Sequence, residues 1–259
     1  MGESAWDRAD DFSDPRLEWK LRAIAVPAAF ALALAFHASP LGHQIQRIWL
    51  SMIVHESGHA TAALLSGFKA VPTLWKTILS AERAWYVTAL VAGLDLALIV
   101  RWWQADKRIW AGVAAAVLVV QAWWTFGLSV DEAHALVTFA GDGGGMVLGS
   151  VLVCTFFAGR DTQLYRGMLR WGFLAIGAAA FVDTFATWWT AQDAPSVIPF
   201  GEIEGVGLSD PSKLRALHGW STADLVDRYV LLGEACLVVL VVVWAWQTRA
   251  AVVRAKLSA

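Results

Sequence analysis

His55-Glu56-Ser57-Gly58-His59 sets two imidazoles four residues apart, with a carboxylate directly after the first. On a helix of about 3.6 residues per turn, His55 and His59 project from one face and can reach a single metal ion. Glu56 beside them can take the proton of a water that the ion has made acidic. From the chain's own His and Glu frequencies, chance supplies such a match in at most about one per cent of chains of this length. The expectation is a zinc site with His55 and His59 as ligands and Glu56 as the catalytic base.

A catalytic zinc normally has three protein ligands and keeps a fourth position for water, so another residue must complete the set. The metzincin continuation would place a third His at position 65, but that residue is Leu65, followed by Ser66-Gly67, and this soluble class is excluded. The candidates left are Asp95, Asp142 and Asp183 inside apolar segments, and Glu82 at the start of one. An ionised carboxylate in hydrocarbon is costly unless paired or bound to metal, so each intramembrane Asp asks for a partner. Asp142 is preferred, because Ala140-Gly141-Asp142-Gly143-Gly144-Gly145 lacks side chains that would keep another backbone or a substrate strand away from the metal.

The elements that must position these groups are membrane helices. The chain has 259 residues, 58% of them hydrophobic, gathered into long apolar runs separated by short charged clusters. Runs at 22–38, 45–66, 84–101, 109–128, 134–158, 168–189 and 229–247 predict an all-α, polytopic transmembrane helix bundle of six to seven spans. Trp pairs near the ends of several runs (Trp102-Trp103, Trp123-Trp124, Trp188-Trp189) suit the headgroup zone. The connections 38–44 and 129–135 contain no Lys or Arg, which assigns both to the outer side. That requires an even number of crossings between them, whereas three runs intervene, so one of the three is expected to be re-entrant.

The organisation expected is a polar tail over 1–20, one membrane domain over 21–247 with a polar loop at 190–228 holding one short helix, and a basic tail over 248–259. The first twenty residues lack the apolar core of a cleavable signal, so the first run is expected to stay as an anchor. A net charge of −2 without a basic tract argues against nucleic acid as a partner. Cys154 and Cys236 both lie in apolar runs, which makes a disulfide framework or a cysteine zinc site unexpected.

With HExxH on one apolar segment and Asp142-Gly143 on a later one, the chain resembles the site-2 protease-like intramembrane zinc metallopeptidases. The resemblance covers about 45–150. It implies zinc held by His55, His59 and Asp142, Glu56 passing a proton from water to the leaving amine, and a transmembrane protein or peptide as substrate in the lipid bilayer. The segment Gly67–Leu74 is similar to the family's short extended region, and Val71–Leu74 could hold a substrate strand. Ser209-Asp210 resembles a Ser-Asp pair of a broader branch. Two runs separate the motifs where the family has one, and the Asn-rich context of its Asp-Gly motif is missing. Short loops fit a bacterial cytoplasmic membrane.

Blander roles are expected for other polar groups. His37, His43 and His218 sit at run ends or in loops and are read as solvated, and His134 with Asp131 and Glu132 as an interfacial cluster. Glycines 143–145 read as helix-packing positions, since no phosphate-binding Lys-Ser or Lys-Thr follows them. The alternative to an enzyme is a catalytically idle binding or scaffold protein of the same ancestry, which would have no need of Glu56.

Overall fold

The computed structural model describes residues 15–159, 161–166, 168–203 and 207–257, and these are mainly helical. Ten α-helices follow in order: α1 (Pro15–His37), α2 (Pro40–Gln46), α3 (Met52–Leu65), α4 (Trp85–Gln104), α5 (Arg108–Ala122), α6 (Val130–Cys154), α7 (Gln163–Arg166), α8 (Leu169–Thr190), α9 (Asp210–His218) and α10 (Thr222–Leu257). One π-turn, Arg47–Ser51, joins α2 to α3, and another, Trp123–Gly127, ends α5. Strands β1 (Phe68–Pro72) and β2 (Thr77–Arg83) form an antiparallel hairpin after α3, and β3 (Glu202–Ile203) pairs with β4 (Gly207–Leu208) before α9.

Among the described residues, six helical stretches are long and apolar enough to cross a membrane: Leu17–His37, Trp85–Gln104, Arg108–Gly127, Val130–Phe157, Leu169–Thr190 and Thr222–Leu257. They make the chain a multi-pass membrane protein, and α4 shows why: Leu90, Leu94 and Val100 on it are exposed, as lipid permits and water does not. The run expected at 45–66 is not among the six. It carries Gln46, Arg47, His55, Glu56 and His59, and these polar groups lower its hydropathy. Between the connections free of basic residues, the described helices of that length and composition are those on α4 and α5.

The tails differ from expectation. Residues 1–14 lie outside the described residues, but 15–20 already belong to α1, and α10 continues through the basic segment to Leu257. At 36 residues α10 is about 54 Å long, well beyond the ~30 Å hydrocarbon thickness. Charges mark where lipid ends; they do not end a helix.

The chain divides into two compact units. One comprises the chain up to Val54, Gly145–Val197 and the chain from Val226; the other comprises His55–Gly144 and Ile198–Leu225. In the first, α1 packs along α8, with the Phe30 and Phe181 rings 5.6 Å apart. Gly149 and Gly177 let α6 and α8 approach so closely that a Cβ on Gly177 would lie 2.6 Å from the Gly149 carbonyl oxygen. In the second, Ala62, Ala63, Phe68, Ala133 and Val137 form a buried cluster joining α3, the hairpin and α6.

Candidate metal centre

The HExxH motif occupies the middle of α3, and His55, Glu56 and His59 are all buried. Gly67, at φ 84°, takes the left-handed conformation after the last turn, and the chain then reverses into β1. Arg83 closes this region. Its Nε donates to the Ser66 carbonyl at 3.1 Å, and one Nη donates to the carbonyls of Trp124 and Leu128 at 3.1 and 2.9 Å. One guanidinium thus satisfies carbonyls left open at the ends of two helical segments.

Glycines let α6 reach the motif. A Cβ on Gly58 would run into the Ala140 carbonyl oxygen and the Gly144 Cα, so α3 and α6 meet backbone against backbone there. Gly141 lies over the two imidazoles: a Cβ on it would fall 2.5 Å from His55 Cε1 and 2.6 Å from His59 Nε2. The expected packing role of this glycine-rich run is therefore met at Gly144, while Gly141 makes room for the rings.

The next residue, Asp142, reaches the far side of His55, with Oδ1 3.0 Å from Nδ1. His59 Nδ1 is 2.7 Å from the Val137 carbonyl oxygen, an acceptor only, so this nitrogen carries the hydrogen. Asp142 assigns the Nδ1 hydrogen of His55 in the same way. In the neutral rings this leaves a lone pair on each Nε2, and the two Nε2 atoms face each other at 3.2 Å.

The atom that joins them belongs to α9. Asp210 Oδ2 lies 3.1 Å from His55 Nε2 and 3.0 Å from His59 Nε2. Asp210 begins α9 with Pro211 behind it, a residue pair that starts a helix readily, and its other oxygen accepts from Lys213 Nζ at 3.1 Å. Burial alone would raise the pKa of the Asp210 carboxyl, but the His55 and His59 imidazoles beside it, whenever one carries a second proton, hold it well below the usual carboxylate range. Asp142, the acid expected at the metal, thus meets His55 at Nδ1, and the position facing both Nε2 atoms belongs to Asp210.

These donors suit zinc. Three acceptor atoms 3.0 to 3.2 Å apart have no hydrogen to share when both imidazoles are neutral, and a cation between them removes the conflict. A tetrahedral zinc with bonds of about 2.0–2.1 Å separates neighbouring donors by about 3.3 Å, close to this triangle. Glu56 completes the group: one atom each from His55, Glu56 and His59 lie within 4.8 Å of one another. Thr77 Oγ1, on β2, is 2.8 Å from Glu56 Oε2 and 2.9 Å from the Glu56 carbonyl oxygen, and its single hydrogen serves one at a time.

The other sequence candidates sit elsewhere. Glu82 is exposed on β2, Asp95 on α4 has a buried oxygen without a hydrogen-bond partner, and Asp183 binds His43 and Arg47. His134 Nε2 lies 3.0 Å from the Ala81 carbonyl, tying α6 to the hairpin. His218 is not solvated: its side chain is 8% exposed, with Nδ1 3.1 Å from Asp131.

Asp210, Lys213 and Thr77 were missed as site residues. The cost of a charge in hydrocarbon marks acids inside apolar runs, whereas Asp210 comes from a polar loop. Its available signals were the Ser209-Asp210 resemblance and the Asp-Pro helix start. No family model, curated protein or solved structure matches this chain.

Proposed function

We propose that the chain is an intramembrane zinc endopeptidase hydrolysing a peptide bond in or near a transmembrane segment of a membrane protein. The observation that carries the reading is the convergence of His55 Nε2, His59 Nε2 and Asp210 Oδ2 beside the buried Glu56. His55, His59 and Asp210 would hold the ion, which when bound supplies Lewis acidity toward a carbonyl and a water.

The protein groups divide the remaining work. Glu56 takes the proton of the attacking water and delivers it to the leaving amine, the use for which a buried carboxylate next to the ligands is suited. Asp142 and the Val137 carbonyl fix the tautomers of the histidines, and Lys213 holds the second oxygen of Asp210. Thr77 orients Glu56 from the hairpin. A helical peptide bond is shielded by its own side chains, so the substrate must be extended at the cut. The hairpin, as a two-stranded sheet, offers it a free edge, and Val71 there is exposed. The short connections favour a bacterial cytoplasmic membrane.

The test uses detergent-purified full chain and a library of fluorogenic peptides derived from transmembrane segments. Wild type is expected to cleave members of the library, and Glu56→Gln to keep its zinc while losing at least a hundredfold in rate, about the contribution of general acid–base catalysis. Equal cleavage by the two proteins would remove Glu56 from the chemistry, and none by zinc-loaded wild type would transfer the reading to a partner-binding protein.

A further inference from the structure

The unit that lacks the HExxH motif contains a second cluster of the same composition, built from His37, His43 and Asp183. His37 is the last residue of α1, His43 lies in α2, and Asp183 is on α8. The turn between α1 and α2 is tight: the Gly42 amide donates to Ser39 Oγ at 3.1 Å, and a Cβ on Gly42 would collide with Ser39 and the Phe36 carbonyl. This brings the two imidazoles together, with ring centroids 4.4 Å apart.

Asp183 has a fully buried side chain. Its Oδ1 lies 2.9 Å from His43 Nε2 and 3.8 Å from His37 Nδ1, and its Oδ2 accepts from Arg47 at 3.0 Å. Both histidines, expected to be solvated, face a buried carboxylate. His37 Nδ1 is itself buried and has no hydrogen-bond partner.

We propose that His37, His43 and Asp183 form a second divalent transition-metal site, of the zinc class. Two observations distinguish it from a simple Arg47–Asp183 ion pair. An ion pair leaves His37 Nδ1 desolvated and unsatisfied, which is costly, whereas a cation at the cluster uses it as a ligand. The carboxylate is also presented as Asp210 is in the motif site, with one oxygen toward two imidazoles and the other held by a cationic side chain, Lys213 there and Arg47 here. Two imidazoles and a carboxylate suit zinc and its neighbours better than calcium or magnesium. Among the described residues no second carboxylate joins this cluster to act as a base. Its role is structural: it ties the end of α1, α2 and α8 together.

The test is elemental analysis of the full chain in detergent, equilibrated with zinc and freed of loosely held metal, for wild type, His59→Ala, His43→Ala and His43→Ala/His59→Ala. His43→Ala leaves the Asp183–Arg47 pair intact, so the buried carboxylate keeps a partner. About two zinc ions are expected in wild type, one in each single variant and none in the double variant. A single ion that survives His59→Ala and disappears with His43→Ala would sustain this site while removing the motif site. A single ion lost with His59 and indifferent to His43, equal zinc in all four proteins, or none in any would overturn it. In the His59→Ala background, zinc is also expected to raise the thermal midpoint, and adding His37→Ala to abolish the rise; a rise that persists rejects the site.

Discussion

Replacing Asp210 and Asp142 separately by Asn distinguishes a ligand from the residue that aims one. Both substitutions keep shape and remove charge, and both carboxylates contact His55: Asp210 at Nε2, at 3.1 Å, and Asp142 at Nδ1, at 3.0 Å. Apparent binding energies of structural zinc run at about 10–16 kcal/mol, so one of three or four ligands is worth roughly 3–5 kcal/mol. Asp210→Asn should therefore weaken zinc binding by about two to four decades. Orienting partners of metal-bound histidines are typically worth about 10–100-fold, so Asp142→Asn should cost one to two decades. The assay is competition against a fluorescent zinc chelator at neutral pH, with cobalt in place of zinc for the absorption spectrum. Asp210→Asn should change the intensity of the cobalt bands, which reports coordination number, and Asp142→Asn should leave it near wild type. Weaker binding in Asp142→Asn than in Asp210→Asn, with the altered spectrum following Asp142, would return the ligand role to Asp142 and refute the assignment made from the Nε2 geometry.

Other substitutions examine the parts that hold this site. Gly58→Val places a side chain against the Ala140 carbonyl and Gly144 backbone, and should destabilise the protein by about 1–3 kcal/mol or more, read from thermal unfolding in detergent; an unchanged midpoint would mean that α3 and α6 are not in backbone contact. Arg83→Met removes the donor to the carbonyls of Ser66, Trp124 and Leu128, with an expected loss of about 1–3 kcal/mol in the same measurement. Thr77→Val deletes a hydrogen bond to Glu56 and should lower kcat while zinc content stays at the wild-type level; a loss of zinc instead would make Thr77 part of the metal's support.

How much of this was legible beforehand depends on how far apart in the chain the cooperating residues lie. Helices report themselves locally, since a run of about 20 apolar residues must satisfy its backbone within the bilayer. The six described helices long and apolar enough to cross a membrane were accordingly visible within a few residues, apart from the ends of α1 and α10, where charge hides continuing helix. The motif was visible for the same reason, because four residues along a helix fix His55 relative to His59. The glycine-rich run around Asp142 announced a close approach, and Gly58, Gly141 and Gly144 supply it.

The sequence by itself determined an all-α membrane protein with His55, Glu56 and His59 on one helical face. Tertiary structure alone decided which acid meets them. Asp142 and Asp210 are 87 and 155 residues from His55, and neither spacing carries periodic information across intervening turns and loops. The choice came from packing: the backbone contact of α3 with α6 points Asp142 at Nδ1, and the start of α9 brings Asp210 to both Nε2 atoms. Likewise, only the fold around the tight turn at Gly42 turned His37 and His43 from apparent surface residues into partners of the buried Asp183.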